Sequence, residues 1–201
     1  MAASSFHYLA VLDLEATCSK DRSFGPQEVI ELPTVLIDVA KQEVIGEFQT
    51  YVRPVHVIKL TDFCTELTGI QQAWVDAAPT FPEAWARYEA WLIEQGCTPK
   101  NTLMLTCGDW DLNSMLPRQL KLCPSLSRHP ITLQWCNVKH WYRNYYKRAQ
   151  PPRGMLDMLE GEGLKLEGRH HSGIDDCRNI ARVAVCLLQK GATAKVTRRH
   201  R

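Results

Sequence analysis

Hydrophobic residues in the first quarter of the chain fall in short blocks that predict β-strands. Residues 8–12 and 29–39 are nearly continuous apolar runs, a pattern typical of strands buried on both faces. Residues 44–52 alternate between apolar and polar side chains, which predicts a strand with one exposed face. Shorter runs at 103–107 and 135–138 predict a fourth and a fifth strand.

Other hydrophobic positions follow helical spacing. Residues 80–95 place apolar side chains on one face, and Thr80 and Glu83 have the spacing of a capping box. Residues 175–189 repeat this periodicity near the end of the chain. Three strands followed by strands that alternate with helices predict an α/β sandwich with a mixed sheet. Shorter helices are predicted at 61–67, 111–117, 139–148 and 154–161.

The chain has no linker, repeat or low-complexity stretch that would divide it. Its 201 residues fit one domain. We expect that domain to occupy residues 8–191, between a flexible N-terminus at 1–7 and a loose basic C-terminal tail at 192–201.

Composition and charge exclude several classes of protein. Hydrophobic residues make up 45% and charged residues 23% of the chain, values that are typical of a globular protein. No apolar run reaches the ~18 residues that a membrane span needs, and residues 1–12 lack the pattern of a secretory signal. We therefore expect an intracellular protein of the cytoplasm or nucleus, without a membrane partner. A formal net charge of +2 does not by itself indicate a nucleic-acid-binding protein.

Eight cysteines raise the question of a metal or redox protein. No two of them form a Cys-x-x-Cys pair, so the usual zinc spacing is absent. Most lie among apolar residues, as Cys107 and Cys186 do, which favours reduced cysteines buried in the core.

The first candidate for chemistry is an acidic pair behind the first strand. Asp13 and Glu15 are two residues apart, so their side chains point to the same face at the rim of the sheet. Two carboxylates this close repel each other unless protons or a cation compensate, and hard oxygen ligands suit Mg²⁺ or Mn²⁺. The alternative is a pair of solvated loop residues.

Two further segments carry acidic residues at element ends. Asp109 and Asp111 follow the fourth predicted strand, so either could join a ligand site at the strand ends, and Asp111 could equally serve as a helix cap. His171 precedes Asp176 by five residues, which places a general base on a loop beside a carboxylate at the start of the last helix. A surface loop with a capping aspartate is the structural alternative.

Taken together, these segments resemble the DEDDh family of 3′-to-5′ exonucleases. The resemblance spans about residues 8–191 and is closer still to the Eri-1-type exoribonucleases, the branch that includes the histone-mRNA 3′ exonuclease. It is carried by residues 13–18 (DLEATC), 26–33 (PQEVIELP), 63–70 (FCTELTGI), 108–111 (GDWD) and 171–176 (HSGIDD).

The resemblance implies a fold and an active site. The fold would be ribonuclease H-like, with a five-stranded mixed sheet flanked by helices. Two Mg²⁺ ions, which Mn²⁺ could replace, would be held by four carboxylates, and His171 would be the general base. Glu15, Ala16 and His171 would contact the terminal nucleotide. The metal ligands implied are Asp13, Glu15, Asp111 and Asp176. One departure is His170, where relatives often carry proline.

The substrate that the resemblance implies is the 3′ end of single-stranded RNA, and the products are nucleoside 5′-monophosphates. Residues 142–148 mix basic and aromatic side chains, which suits a single-strand path, although an amphipathic helix with a solvated basic face explains them equally well. The rival hypotheses are a proofreading-type DNA exonuclease with the same site and a catalytically weak RNA-binding module.

Overall fold

The computed structural model describes residues 6–21 and 24–200, which form a mixed sheet with helices packed on both faces. In the described residues the strands are β1 (Tyr8–Leu12), β2 (Glu15–Ala16), β3 (Val29–Asp38), β4 (Glu43–Tyr51), β5 (Thr102–Thr106), β6 (Gln134–Asn137) and β7 (Arg198–Arg199).

The sheet is antiparallel around β3 and parallel from β1 to β6. β4 pairs antiparallel with one edge of β3. β1 and β2 both pair antiparallel with the opposite edge, at successive positions along β3. β5 pairs parallel with β1, and β6 pairs parallel with β5. The prediction of a mixed sheet is therefore confirmed. The strand count of five was low, because β2 and β7 have two residues each and are too short to show a hydrophobic period.

The helices of the described residues are α1 (Asp62–Thr68), α2 (Gln72–Asp76), α3 (Phe81–Glu94), α4 (Leu116–Leu122), α5 (Val138–Tyr145), α6 (Met155–Gly161) and α7 (Gly173–Gln189). The capping box of α3 is present, with the Thr80 N–H donating to the Glu83 carboxylate at 2.8 Å. Within residues 6–21 and 24–200, no helix combines the length and apolarity needed to cross a membrane.

The prediction of one helix at 111–117 is wrong in its helix type and in its end. Asp111–Met115 is a π-helical turn, and α4 continues from Leu116 with Pro117 in its first turn rather than ending there. Proline fits a first helical turn because its missing N–H would have had no partner there. The short helix α2 was not predicted at all.

Two hydrophobic layers hold the sheet between the helices. On one face α5, α6 and α7 pack over β1 and β5, with Leu187 and Val183 fully buried. On the other face α3 and the 111–122 segment cover the sheet, with Trp85 and Tyr88 at the centre. Each fully buried Leu or Val contributes about 1.5–3 kcal/mol, so these layers fix where the strand ends lie.

The expectation of a loose basic tail is wrong for residues 192–200. Ala192 and Ala194 are buried in the core, and β7 pairs with β6. The Thr197 N–H donates to the Trp135 carbonyl at 2.9 Å. The charge of this segment concealed the pairing, because its outward-facing arginines resemble those of a solvated end.

Candidate active site

The parallel pairing of β1 with β5 brings two acidic segments to one edge of the sheet. Asp13 directly follows β1, and Asp111 opens the π-helical turn after β5. The Leu14 N–H donates to the Asp111 Oδ1 at 2.9 Å, which ties the two segments together. Asp111 is buried, and this bond therefore fixes its carboxylate beside the end of β1.

Glu15 reaches the same edge from the short strand β2. It lies opposite Glu31 of β3, and the register shifts between Glu15 and Ala16. Such a bulge redirects the side chains around it. The carboxylate of Glu15 is thereby brought next to that of Asp13.

The fourth carboxylate comes from α7. Asp176 lies in the first turn of this helix, is buried, and accepts a hydrogen bond through Oδ2 from the His171 N–H at 3.0 Å. The helix can approach only because residue 173 is glycine. A Cβ at Gly173 would lie 2.8 Å from the Asp13 carbonyl oxygen, closer than side-chain carbons come to backbone.

A fifth carboxylate, which the sequence did not point to, docks α7 on the sheet. Glu31 is buried and accepts hydrogen bonds from the N–H groups of Gly173 at 3.0 Å and Ile174 at 3.4 Å. Gln49 of β4 donates at 2.7 Å to Glu31 Oε1, the oxygen that also accepts from Ile174. Glu31 thus satisfies N–H groups at the start of α7 that have no partner within the helix. The only signal in the sequence is a lone acidic residue in the middle of an apolar strand.

Three of these acidic side chains form one compact cluster, which does not include Asp111 or Glu31. Ligand oxygens of Asp13, Glu15 and Asp176 all lie within 4.8 Å of one another. Burial, and then the charges of Asp111, Glu15 and Asp176, raise the pKa of Asp13 well above its ordinary value. Burial and then the charge of Glu31 raise the pKa of Glu15 to about 9.

One oxygen of this cluster has no hydrogen-bond partner among the described residues. Asp176 Oδ1 is buried and unpaired, although its sister oxygen is bonded to His171. Buried polar atoms almost always have partners, so an exception beside two other carboxylates needs an explanation. A divalent cation supplies one, because it neutralises the mutual repulsion and binds hard oxygen atoms.

His171 lies on the exposed rim of the cluster. Its φ of 66° is in the left-handed region, which costs a non-glycine residue about 1–3 kcal/mol and often marks a functional loop. Its ring packs edge-on against His170 with the centroids 3.9 Å apart. Burial, and then the charges of His170 and Arg169, lower the pKa of His171 from its ordinary value, which favours the neutral imidazole. His170, His171 and Asp176 also offer ligand atoms within 4.8 Å of one another.

Asp109, the competitor of Asp111 in the sequence, is held elsewhere. Its Oδ1 accepts from the Trp135 indole N–H at 2.9 Å and from Asn137 at 3.3 Å, and its Oδ2 pairs with Arg198 at 3.2 Å. Asp109 therefore joins β6 and β7 to the loop after β5.

The basic and aromatic stretch at 142–148 lies at the end of α5. Tyr142 is buried, and the Tyr146 hydroxyl is bonded to Glu162 at 2.7 Å and to Lys190 at 2.7 Å. These two rings are committed to packing and hydrogen bonds, so the structure favours the amphipathic-helix interpretation.

The chain is similar to known nucleases over most of its length. A family model described as exonuclease matches residues 10–184. The chain is 42% identical over 194 residues to human ERI1 exoribonuclease 3, covering 96% of this chain and 57% of that protein. It is 39% identical over 200 residues to human 3′-5′ exoribonuclease 1, covering 97% and 56%. The chain thus spans little more than half the length of these curated relatives.

Solved structures show the same architecture. The nuclease domain of 3′hExo, described as a DEDDh family member bound to rAMP, matches with a TM-score of 0.91 at 37% identity, covering 99% of this chain and 100% of that one. A 3′-exonuclease solved for 3′-end recognition of the histone mRNA stem-loop matches with a TM-score of 0.91 at 36% identity, covering 98% and 69%. The expected ribonuclease H-like fold is confirmed.

Proposed function

The chain belongs to the exonuclease family, among the DEDDh nucleases of the ERI1 and 3′hExo type, and from this we propose that it hydrolyses RNA from the 3′ end. The observation that carries the proposal is the cluster of Asp13, Glu15 and Asp176 with one buried, unpaired oxygen. Such a cluster is costly in a folded protein unless it binds a cation.

The residues present fit a divalent-metal site. Asp13, Glu15, Asp111 and Asp176 would hold two Mg²⁺ ions, and Mn²⁺ would substitute because both prefer carboxylate oxygen. When bound, such ions supply a water of lowered pKa and positive charge beside the developing oxyanion. The Asp176 Oδ1 is the atom best placed to gain a ligand bond, since its sister oxygen already serves His171.

His171 would act as the general base. Its lowered pKa favours the neutral ring, and its place on the rim leaves it accessible to the attacking water. His171 takes the proton from this water as the oxygen attacks the terminal phosphorus. The bond from phosphorus to the 3′ oxygen of the preceding nucleotide then breaks, and a nucleoside 5′-monophosphate is released.

The terminal nucleotide would lie between the cluster and its neighbours. Glu15 and Ala16 form β2, and His171 precedes the first residue of α7 by two positions. Trp110, directly before Asp111, is 40% exposed and offers an aromatic face on which a base can stack. Two of the relatives are named exoribonucleases, which supports RNA as the substrate.

Digestion of matched RNA and DNA oligonucleotides tests this proposal. Single-stranded substrates labelled at either the 3′ or the 5′ end are incubated with Mg²⁺. We expect immediate release of the 3′ label as a 5′-monophosphate and a ladder of shortening 5′-labelled products, both faster on RNA. Cleavage of DNA alone would favour the proofreading-type exonuclease, and tight RNA binding without cleavage would favour the binding module.

A further inference from the structure

An exposed tryptophan is stacked on a tyrosine beside the acidic cluster. The rings of Tyr51 and Trp74 have centroids 5.2 Å apart and planes inclined by 27°. Tyr51 packs on the small hydrophobic cluster below it, whereas Trp74 is 46% exposed. One face of the indole is therefore covered by Tyr51, and the exposure of the ring leaves its other face to solvent.

The sheet register places this pair close to the site. Tyr51 lies directly opposite Glu31, and Glu31 lies directly opposite Glu15. Opposed residues on antiparallel strands have Cα atoms about 4.5–5.5 Å apart, so Tyr51 is roughly 10 Å from Glu15 along the sheet. That span corresponds to about three stacked nucleotides at ~3.4 Å per nucleotide.

A guanidinium group joins the loop that carries His171 to the end of α1 and to Gly69, five residues before Trp74. Arg169 is exposed, precedes His171 by two residues, and donates its backbone N–H to Asp175 at 2.9 Å. Its side chain crosses to the end of α1, where it donates to the Glu66 carbonyl and lies against Gly69. Among the described residues, Glu66 is the hydrogen-bond partner found for the guanidinium, so further N–H groups remain for an anion.

An open aromatic face near a guanidinium is suited to single-stranded nucleic acid. Bases stack on aromatic side chains with little regard to sequence, and arginine binds phosphate through several N–H groups. A strand whose 3′ end lies in the carboxylate cluster must leave the site across its rim. We propose that Trp74, supported by Tyr51, stacks a base on the 5′ side of the scissile bond, and that Arg169 contacts the strand's phosphate there.

This inference rests on the proposed function and extends it to substrate length. The terminal nucleotide alone cannot reach the shelf formed by Tyr51, Trp74 and Arg169. The shelf therefore contributes to the binding of RNA. It should not affect a substrate that has no nucleotide on the 5′ side of the scissile bond. The p-nitrophenyl ester of uridine 5′-monophosphate is such a substrate, because p-nitrophenol replaces the upstream strand.

The first test compares KM on single-stranded RNA with KM on this ester. We expect W74A to raise KM for RNA about 5- to 100-fold more than for the ester, the effect of one lost base–aromatic stack. W74F should recover most of the loss. The matched control is I93A, since Ile93 is an exposed apolar residue (72%) on α3 and should affect neither substrate.

Two outcomes of this comparison would overturn the shelf. An unchanged KM for RNA in W74A would show that no base stacks there, and equal losses on both substrates would show that Trp74 only supports the fold. If the wild-type protein hydrolyses neither substrate, the proposed function itself fails, which is a distinguishable result.

The second test locates the stacked base and the phosphate. A series of RNAs is prepared, each with a single abasic residue at a different position upstream of the scissile bond. At one of these positions the missing base should raise KM for the wild type but not for W74A. R169Q, which keeps a donor for the Glu66 carbonyl, should lower the slope of log KM against log salt by about 0.7, the value for one phosphate contact on a single strand. Identical abasic profiles for the wild type and W74A would contradict the assignment.

Discussion

The Glu31 carboxylate accepts a hydrogen bond from the Gly173 N–H at 3.0 Å, and this bond joins β3 to the start of α7. Neither residue offers a ligand in the cluster of Asp13, Glu15 and Asp176. The bond nevertheless sets the position of Asp176, which lies three residues into the same helix. Glu31 therefore acts as a positioning residue for the acidic cluster.

Removal of Glu31 should loosen this connection. We expect E31A to lose about 1–3 kcal/mol of unfolding free energy, the cost of leaving buried N–H groups unpaired, and to lose activity as Asp176 moves. E31Q keeps an acceptor and should retain more of both. Denaturant titration and nuclease assays measure the two effects. The control is E47A, because the exposed Glu47–Arg178 pair also joins β4 to α7 yet should contribute about 0–1 kcal/mol. An E31A protein as active as E47A would rule out this role.

Substitutions of the two aspartates after β5 should have clearly different effects on metal binding. D111N removes a buried carboxylate that touches the end of β1, and it should reduce both metal affinity and nuclease activity by at least about 100-fold. D109N should leave metal affinity within about threefold, because Asp109 is bonded to Trp135, Asn137 and Arg198 instead. Calorimetric titration with Mn²⁺ compares them directly. Equal losses in the two variants would mean that Asp109 shares the metal site.

His171 should control the acid side of the pH–rate profile. The neutral imidazole is the active form, so kcat should fall as the pH drops through the pKa of His171, which burial lowers from its ordinary value. H171A should bind metal normally, lose about 10²–10⁴ in rate and lack this acid limb. H170A provides the comparison and should retain the limb. A wild-type rate in H171A would remove the residue from the mechanism.

The stability of the metal-free protein should fall as the pH rises. Glu15 has a pKa of about 9 when folded and an ordinary value near 4.5 when unfolded, so the folded state holds its proton more tightly. Stability from this group is complete below about pH 4 and is lost progressively up to pH 9. In EDTA, E15Q should therefore melt at higher temperature than the wild type at pH 8. A gain of about 1 kcal/mol corresponds to about 2–4 °C for a chain of this size.

The comparison at low pH is the control for this prediction. At pH 4 the Glu15 carboxyl is protonated in the folded protein and mostly protonated in the unfolded chain, so E15Q and the wild type should melt within about a degree of each other. Addition of Mg²⁺ at pH 8 should stabilise the wild type more than E15Q. A difference between the proteins that does not change with pH would show that charge at residue 15 is not the cause.

The sequence predicted the parts of the site that depend on strand ends. Asp13 and Asp111 follow strands with clear hydrophobic patterns, and the parallel pairing of those strands brings the two aspartates together. It could not choose between Asp109 and Asp111 on spacing, because both follow β5 and only the partners at β6 and β7 distinguish them. The family resemblance made that choice.

Long-range contacts account for what the sequence did not predict. The role of Glu31 depends on Gly173, 142 residues away along the chain. Likewise, β7 forms because Thr197 reaches the Trp135 carbonyl, and no local pattern in a run of basic residues indicates this. Both features depend on contacts between segments that are far apart in the sequence, which local propensity does not encode.

Metal add-back in a single-turnover assay tests whether hydrolysis depends on a metal ion held by the acidic cluster. Metal ions are removed from the wild-type protein and D13N with EDTA. Each protein, in excess over 3′-labelled RNA, is mixed with the RNA and then given Mg²⁺. We expect no release before Mg²⁺ is added, prompt release of labelled 5′-monophosphate by the wild type afterwards, and at least about a hundredfold slower release by D13N. Release of the label in EDTA, or equal rates for the two proteins after Mg²⁺ is added, would contradict metal-dependent hydrolysis at the acidic cluster.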